Sequence, residues 1–165
     1  MECFERNKYS VLEKIADGGF SNVYIAQTTL GVVGDVTLKI MKKNHDVLFH
    51  RECRILQSLS HPFICKYIED TYIHSKNTLV LEFIDGIELY HFMCKAKLSY
   101  KNVLFISSCM LSALAYLHTS SILYRDLKPE NVMINTQGYA IMVDFGFAKR
   151  MRSTHTHTYC GTYGY

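Results

Sequence analysis

The stretch Tyr124-Arg125-Asp126-Leu127-Lys128-Pro129-Glu130-Asn131, followed by Asp144-Phe145-Gly146, decides the fold of this 165-residue chain. Asp126 and Asn131 lie five residues apart with Lys128 between them, a spacing that suits a stiff loop with converging side chains. By type, these residues supply a carboxylate to orient a hydroxyl, a cation for a phosphate and oxygen ligands for Mg²⁺. The two motifs together predict a phosphoryl-transfer site, whereas either motif alone could be an ordinary turn or hairpin end.

This stretch resembles the catalytic loop of protein kinases, H-R-D-L-x-x-x-N, with the metal-binding D-F-G after it. The resemblance implies that Asp126 is the catalytic base and that Lys128 neutralises the transferred phosphoryl group. It also implies that Asn131 and Asp144 bind Mg²⁺, with ATP as the nucleotide. Tyr124 replaces the usual histidine, as is typical of the group that includes the cyclic-nucleotide-dependent kinases.

The implied fold class is α+β: a two-lobed protein-kinase-like fold with an antiparallel β N-lobe containing one helix, plus an incomplete helical C-lobe. Turn-punctuated runs rich in Val, Ile, Tyr and Thr predict strands in the first half, and helical spacing predominates beyond Gly86. We therefore expect residues 1–165 to be a partial kinase domain, with an N-lobe at about 9–84, a hinge at 85–88 and a C-lobe at 89–165 that ends in the activation segment. The first predicted helix is capped by Asn44 or Asp46 and runs to about Leu59, and further helices are predicted at 89–96 and 100–118. The later strands of the N-lobe are expected near 64–72 and 78–84.

A hairpin is predicted between the two motifs, with strands 132–134 and 140–143 and a turn at 135–138. Its ends carry Asn131 and Asp144, so pairing of the strands would bring the two oxygen ligands together.

A glycine-containing loop between two predicted strands could let backbone N–H groups approach phosphates. It resembles the kinase phosphate loop G-x-G-x-x-G-x-V, although Ala16 and Ser21 occupy the first and third glycine places. Taken alone, the loop could be a hairpin turn that merely requires glycine. The resemblance implies nucleotide contacts from Ile15, Ala16, Asp17, Gly18, Gly19, Phe20, Ser21, Asn22 and Val23.

The rest of the nucleotide pocket is also implied by resemblance. Lys39 would contact the α- and β-phosphates and pair with Glu52, although both residues could be ordinary surface charges. Thr37 stands where an alanine usually packs against adenine, and its hydroxyl could weaken that packing by ~1 kcal/mol if it is unpaired. The other implied contacts are Leu81 as gatekeeper, the backbones of Glu82 and Ile84 at the adenine edge, Glu88 at the ribose and Met133 as the pocket floor.

The resemblance to protein kinases also implies how the chain is regulated and which substrates it prefers. A phosphate on Thr158 would pair with Arg125 and order the activation segment, with Thr154 and Thr156 as alternative sites. Kinases of the cyclic-nucleotide-dependent group prefer protein substrates with basic residues near the target Ser or Thr, which Glu88 and Glu130 could attract. A regulatory subunit is a possible partner.

Composition excludes some classes of partner. The net charge of +3 is spread along the chain, which gives no case for nucleic acid. Six cysteines without C-x-x-C spacing predict reduced thiols and a cytoplasmic location. The apolar segment 103–117 is shorter than a membrane span, so we expect a buried helix and no membrane contact.

Two alternatives remain open. The sequence ends at Tyr165, before the family's Ala-Pro-Glu motif, so the chain could bind nucleotide or a partner without transferring phosphate. In that case the apolar residues around Leu111 and Leu114 would stay exposed. A small-molecule phosphotransferase is the weaker alternative, since those relatives usually lack the Gly161-Thr162 pattern.

Overall fold

The computed structural model describes residues 8–29, 34–151 and 161–162. They form two compact units, one made of Met1–Phe49 with Tyr67–Phe83 and the other of His50–Lys66 with Ile84–Tyr165. An antiparallel sheet and a few helices make up the structure, which confirms the expected α+β class.

The first unit is built on a five-stranded antiparallel sheet with the strand order β1-β2-β3-β5-β4. Its strands are rich in Val, Ile, Tyr and Thr, which pack well on a pleated surface. They are β1 (Tyr9–Asp17), β2 (Ser21–Thr28), β3 (Asp35–Met41), β4 (Tyr67–Ile73) and β5 (Lys76–Glu82).

One face of this sheet forms the core of the first unit. Ala26, Leu38 and Val80 are fully buried there, with Tyr9 and Val36 beside them. Because strand side chains alternate between faces, residues such as Val23, Thr37 and Lys39 point to the other side.

The predicted strand 64–72 starts too early, since β4 begins only at Tyr67. Ile64 instead forms an isolated parallel bridge with Met142, and the Cys65 N–H donates to the Met142 carbonyl at 2.9 Å. These residues belong to the second unit, so their pairing there competes with an extension of β4.

Helix α1 (Asp46–Leu56) starts with an acidic residue, which is favourable at the positive end of a helix dipole. Asn77 donates to the Asp46 carboxylate at 2.6 Å and ties this helix start to β5. The sequence predicted an end near Leu59. The helix ends at Leu56, and the Leu59 N–H donates to the Leu56 carbonyl at 3.1 Å in the turn that follows.

The second unit contains short strands and two further helices, α2 and α3. Strands β6, β8 and β9 form one antiparallel sheet, and β7 pairs with β10. The elements in chain order are β6 (Gly86–Glu88), α2 (Leu89–Lys95), α3 (Tyr100–Thr119), β7 (Ile122–Leu123), a 3₁₀ turn (Pro129–Asn131), β8 (Val132–Asn135), β9 (Ala140–Met142) and β10 (Lys149–Arg150). No sequence pattern indicated β6, β7 or β10, because two or three residues are too few to show a period.

Helix α3 begins at a cap in which the Ser99 hydroxyl accepts from Asn102 N–H at 3.2 Å. The expectation of a buried helix is only half right: one face is buried, whereas Leu111 is 66 % exposed and Leu114 is half-buried. By length and composition α3 could also cross a membrane, but a core helix has the same properties. The buried face consists of Ile106, Cys109, Met110, Ala113 and Leu117.

Gly86 lies where β6 approaches β8 very closely. A Cβ atom at this position would stand 2.2 Å from the Ile134 carbonyl oxygen, so only glycine fits without moving the backbone. The predicted hinge 85–88 is largely strand: Gly86–Glu88 form β6, which pairs with β8. The Asp85 carbonyl accepts from Thr136 N–H at 3.1 Å. The predicted domain boundaries, with an N-lobe at about 9–84, a hinge at 85–88 and a C-lobe at 89–165, stay a prediction.

Candidate active site

Asp126 is a buried carboxylate, only 6 % exposed, in the loop before the 3₁₀ turn. The Asn131 side chain donates from Nδ2 to Asp126 Oδ2 at 2.7 Å and to the Asp126 carbonyl at 2.9 Å. The 3₁₀ turn brings Asn131 back toward Asp126, and Asn131 N–H donates to the Lys128 carbonyl at 3.0 Å. The structure thus brings together the three residues that were predicted to be catalytic.

Thr162 completes this network. Its hydroxyl donates to Asp126 Oδ1 at 2.6 Å and accepts from Lys128 Nζ at 2.7 Å, while Lys128 Nζ also lies 3.2 Å from Asp126 Oδ2. Sequence reasoning used Gly161-Thr162 only as a family marker and missed this contact. The Gly-Thr pair was the available signal, but nothing in the spacing indicated which residue it meets.

The β8–β9 hairpin positions the two predicted metal ligands. Val132 faces Met142 in the register, and the Val143 N–H donates to the Asn131 carbonyl at 3.0 Å, directly before Asp144. The hairpin therefore places the two predicted ligand positions, Asn131 and Asp144, at the same end of the paired strands.

This pair of oxygen donors suits Mg²⁺, which usually takes one or two protein ligands together with water and substrate phosphates. Because Nδ2 of Asn131 makes both bonds to Asp126, Oδ1 is the atom left to face a cation. Within the described ranges, no three His, Cys, Asp or Glu side chains form an all-protein metal cluster. The donor pair Asn131 and Asp144 therefore suits a magnesium ion that is bound together with a nucleotide better than one held by protein ligands alone.

Three charged side chains hold the backbone after Asp144. Glu52 Oε1 accepts from Phe145 N–H at 3.1 Å, Arg51 Nη2 donates to the Gly146 carbonyl at 2.8 Å, and Arg125 Nε donates to the Phe147 carbonyl at 2.9 Å. Glu52 is 2 % exposed, so this acceptor is fully inside the protein. The segment is therefore tied down at three consecutive residues.

Tyr124 fills the position of the usual histidine as a buried aromatic side chain. Its ring meets the Phe145 ring edge-on at 5.1 Å, and its hydroxyl donates to the Val143 carbonyl. Burial raises the pKa of the Tyr124 phenol well above its usual value, with the Asp144 charge as a smaller contribution. Tyr124 is thus a neutral donor that packs the two motifs against each other.

The backbone at the site adopts uncommon conformations. Arg125 has a φ of 69° and Asp144 a φ of 58°, both in the left-handed region that residues other than glycine rarely occupy. Such residues cost about 1–3 kcal/mol each and persist only where their surroundings hold them in place. Here the hydrogen bonds of Arg125 to Phe147 and of Gly146 N–H to Asp144 Oδ1, at 3.0 Å, supply that constraint.

In the first unit, the strand register collects predicted nucleotide contacts on the sheet face opposite the core. Ala16 faces Val23, Val23 faces Lys39, and Thr37 faces Leu81 across neighbouring strands. Directly paired residues point to the same face of a sheet. These five side chains therefore share one surface.

Apart from Glu82, the last residue of β5, the remaining predicted contacts of this unit surround the turn between β1 and β2. Ser21 is buried and its carbonyl accepts from Gly18 N–H at 2.9 Å, whereas Ile15 and Phe20 are largely exposed. Lys39 is 7 % exposed. Lys39 belongs to the first unit and Glu52 to the second, and their pairing stays a prediction.

In the second unit, Glu88 of β6 faces Met133 of β8, so the predicted ribose ligand and pocket floor also lie side by side. Glu88 forms a 2.9 Å contact with His91 Nδ1, an ion pair when the imidazole is protonated. Thr158 lies outside the described residues. Its predicted partner Arg125 is described, and Arg125 Nη1 is buried without a partner in the described part of the chain.

Comparison with known proteins gives a consistent result. The model of the protein kinase domain family matches residues 9–165. A cAMP-dependent protein kinase, catalytic subunit-like, of Caenorhabditis briggsae is 34 % identical over 99 % of this chain and 44 % of its own length. The corresponding protein of Caenorhabditis elegans is also 34 % identical, over 99 % of this chain and 42 % of its length. A cAMP-dependent protein kinase catalytic subunit of Dictyostelium discoideum is 34 % identical over 94 % of this chain and 25 % of its length. The chain thus spans less than half the length of these relatives.

Proposed function

Because the chain belongs to the protein kinase family, we propose that it transfers the γ-phosphoryl group of Mg-ATP to a serine or threonine of a protein. The observation that carries this proposal is the buried Asp126 carboxylate, which Asn131, Lys128 and Thr162 hold at 2.6–3.2 Å. An immobilised carboxylate of this kind can orient a substrate hydroxyl and accept its proton.

Lys128 would act on the transferred phosphoryl group, whereas Asp126 acts on the substrate hydroxyl. Its Nζ lies 3.2 Å from Asp126 Oδ2, so the cation stands beside the position where a hydroxyl would attack a phosphoryl group. A fixed positive charge there stabilises the charge that develops on the transferred group. Thr162 keeps the ammonium in this position through its 2.7 Å bond.

Asn131 and Asp144 would hold Mg²⁺, which neutralises phosphate charge when it is bound with the nucleotide. In support, the hairpin register places both residues at one end of β8 and β9. The bonds from Asn131 Nδ2 to Asp126 orient its amide, so this one residue would connect the base with the metal position.

ATP would lie against the face of the first sheet that carries Val23, Thr37 and Lys39. Val23 and Leu81 offer apolar contact for adenine, and Lys39 offers a cation for the α- and β-phosphates. On this surface, Thr37 stands where the family usually has alanine. Glu88 beside Met133 is proposed as the ribose ligand.

Substrates with basic residues near the target are the second part of the proposal, with Glu88 and Glu130 as the attracting charges. Phosphorylation of Thr158 is proposed as the activating event. Arg125 supports it, since Nη1 is buried without a partner in the described residues and a phosphate could accept from it. Equal activity of Thr158→Ala protein and protein phosphorylated at Thr158 would refute this regulation.

A second candidate function is nucleotide or partner binding without transfer. The large apolar side chains on α3 favour it, because Leu104, Phe105 and Leu111 are between 46 and 66 % exposed. Exposed apolar residues of this size often mark a surface that another segment or protein covers.

Transfer of radiolabelled phosphate from Mg-ATP to a peptide with arginines before a serine tests the proposal. We expect activity from the unsubstituted chain and a loss of about 10²- to 10⁴-fold in Asp126→Asn, with unchanged Mg-ATP affinity. Equal rates for parent and Asp126→Asn would refute the assignment of the base. Mg-ATP binding without transfer by the parent would favour the second candidate.

A further inference from the structure

Asp17, the last residue of β1, binds two lysines at once. Lys14 Nζ lies 2.6 Å from Asp17 Oδ2, and Lys42 Nζ lies 2.7 Å from Asp17 Oδ1. The hydrogen bond from Lys14, followed by that from Lys42, lowers the pKa of Asp17 to about 2. Asp17 is therefore anionic throughout the physiological range. We call this three-residue group the Asp17 brace.

The Asp17 brace spans strand β2 and connects β1 with the end of β3. Asp17 faces Asn22 in β2, Asn22 faces Ile40 in β3, and Lys42 follows Ile40 by two residues. β1 and β3 are neighbours of β2 on opposite sides and do not pair with each other. The contact between Asp17 and Lys42 therefore connects two strands that share no backbone ladder.

The brace lies away from the proposed nucleotide surface. Asn22 and Ile40 alternate with Val23 and Lys39, so they belong to the opposite face of the sheet. Any effect of Asp17 on nucleotide binding must then pass through the backbone of the β1–β2 turn. This makes Asp17 a positioning residue and not a nucleotide ligand.

Two further contacts act on the same turn. The Lys42 N–H donates to the Phe20 carbonyl at 2.9 Å, and the Phe20 ring meets the His45 ring edge-on at 5.0 Å. Gly18 and Gly19 lie between Asp17 and Phe20, and the backbone of glycine loses more conformational entropy on ordering than that of other residues. A cross-strand ion pair at the start of the turn limits the conformations that these glycines sample.

We propose that the Asp17 brace keeps the Gly18–Gly19 turn in one conformation against the end of β3 and so preorganises the backbone that receives the phosphates. The inference rests on the nucleotide-binding role proposed above. Preorganisation improves affinity because the protein orders fewer groups when the ligand arrives.

The test uses the full chain in two steps. Hydrogen exchange of the Gly18 and Lys42 amides is measured by NMR without nucleotide, and Mg-ATP affinity is then measured by calorimetry. Asp17→Asn removes the charge and keeps the shape of the side chain. The triple variant Lys14→Asp, Asp17→Lys and Lys42→Asp restores opposite charges at both contacts of the brace.

We expect Asp17→Asn to raise the exchange rates of both amides and the Kd for Mg-ATP by about two- to fivefold, a size typical of exposed ion pairs. The triple variant should recover most of both effects. Raising the salt concentration should bring the parent toward Asp17→Asn, because exposed pairs are screened. Lys8→Gln, which breaks a 2.7 Å ion pair with Glu69 elsewhere in the sheet, is the matched control and should change neither quantity.

Unchanged exchange in Asp17→Asn would overturn the brace whether or not the chain binds nucleotide. Altered exchange with an unchanged Kd would overturn its positioning role. If the parent fails to bind Mg-ATP while exchange responds to Asp17→Asn, the brace stands and the proposed function fails.

Discussion

Thr162 donates a 2.6 Å hydrogen bond to Asp126 Oδ1 although 36 positions separate the two residues. The same hydroxyl accepts from Lys128 Nζ at 2.7 Å. One threonine thus fixes both the proposed base and the proposed phosphate cation. If the chain is a kinase, this contact sets the geometry of the attack.

Replacing Thr162 with valine should lower the rate of phosphoryl transfer. The substitution keeps the shape but leaves a buried carboxylate oxygen and an ammonium without their shared partner. A lost bond to a charged group costs about 1–3 kcal/mol, or roughly tenfold to a hundredfold in rate. Steady-state kinetics with a basic peptide would measure it. Thr162→Ser, which keeps the hydroxyl, should stay within about threefold of the parent. Full activity in the valine variant would show that the contact is dispensable.

Gly86→Ala should destabilise the second unit, because the new Cβ would stand 2.2 Å from the Ile134 carbonyl. Steric insertion of this kind typically costs about 1–3 kcal/mol in the free energy of unfolding. Urea denaturation followed by circular dichroism gives the value. Gly34→Ala is the matched control, since no atom lies within 4 Å of a Cβ at that position. Equal stability of the two variants would contradict the close approach of β6 and β8.

Leu117→Ala and Leu111→Ala compare two leucines on the same helix. Leu117 is fully buried and Leu111 is 66 % exposed. We expect the first substitution to reduce the free energy of unfolding by about 2–5 kcal/mol and the second to change it by less than about 0.5 kcal/mol. Thermal or urea unfolding distinguishes them. A large effect at Leu111 would mean that another part of the protein covers this side chain.

Two substitutions of Glu52 test its hydrogen bond to the backbone of Phe145. Its carboxylate accepts from Phe145 N–H at 3.1 Å in a fully buried position. Glu52→Gln keeps an acceptor oxygen, whereas Glu52→Leu leaves the amide unsatisfied at a cost of about 1–3 kcal/mol. The leucine variant should therefore unfold at lower urea concentration than the glutamine variant. The reverse order would show that burying a polar side chain at position 52 costs more than its hydrogen bond to Phe145 returns.

The Asp17 carboxyl should titrate with a midpoint near pH 2, because Lys14 and Lys42 lower its pKa to about that value. A carboxyl whose pKa is lower in the folded state stabilises the fold above its unfolded pKa of about 3.9, and this contribution disappears as the pH falls through the folded value. The ¹³Cγ chemical shift of Asp17 reports the titration directly. In Lys42→Met the midpoint should move upward toward 3.8, its ordinary value.

That the predicted catalytic-loop and metal residues come together in space was predictable because they lie close together in sequence. Asp126, Lys128 and Asn131 sit within six residues, and a short hairpin joins Asn131 to Asp144. Long elements such as α3 were predictable for a similar reason: twenty residues show a period clearly, and the predicted 100–118 matches Tyr100–Thr119 closely.

Contacts between distant segments were not predictable. Nothing near Thr162 in the sequence indicates that it bonds to Asp126, and nothing near Ile64 indicates its bridge to Met142. The brace was missed for another reason, since Asp17 was interpreted as a phosphate-loop residue and no sequence pattern pointed to Lys14 or Lys42 as its partners. Register across three strands decides that contact, and local spacing does not reveal register.

The hydrogen bonds to Asp126 also limit how a substrate can approach. A carboxylate offers about four acceptor positions, two on each oxygen. Asn131 and Lys128 occupy those of Oδ2, and Thr162 occupies one on Oδ1. A serine or threonine hydroxyl that seeks this group must therefore come to the remaining lone pair of Oδ1. In the proposed reaction, the loop would thereby leave a substrate hydroxyl a single direction of approach to Asp126.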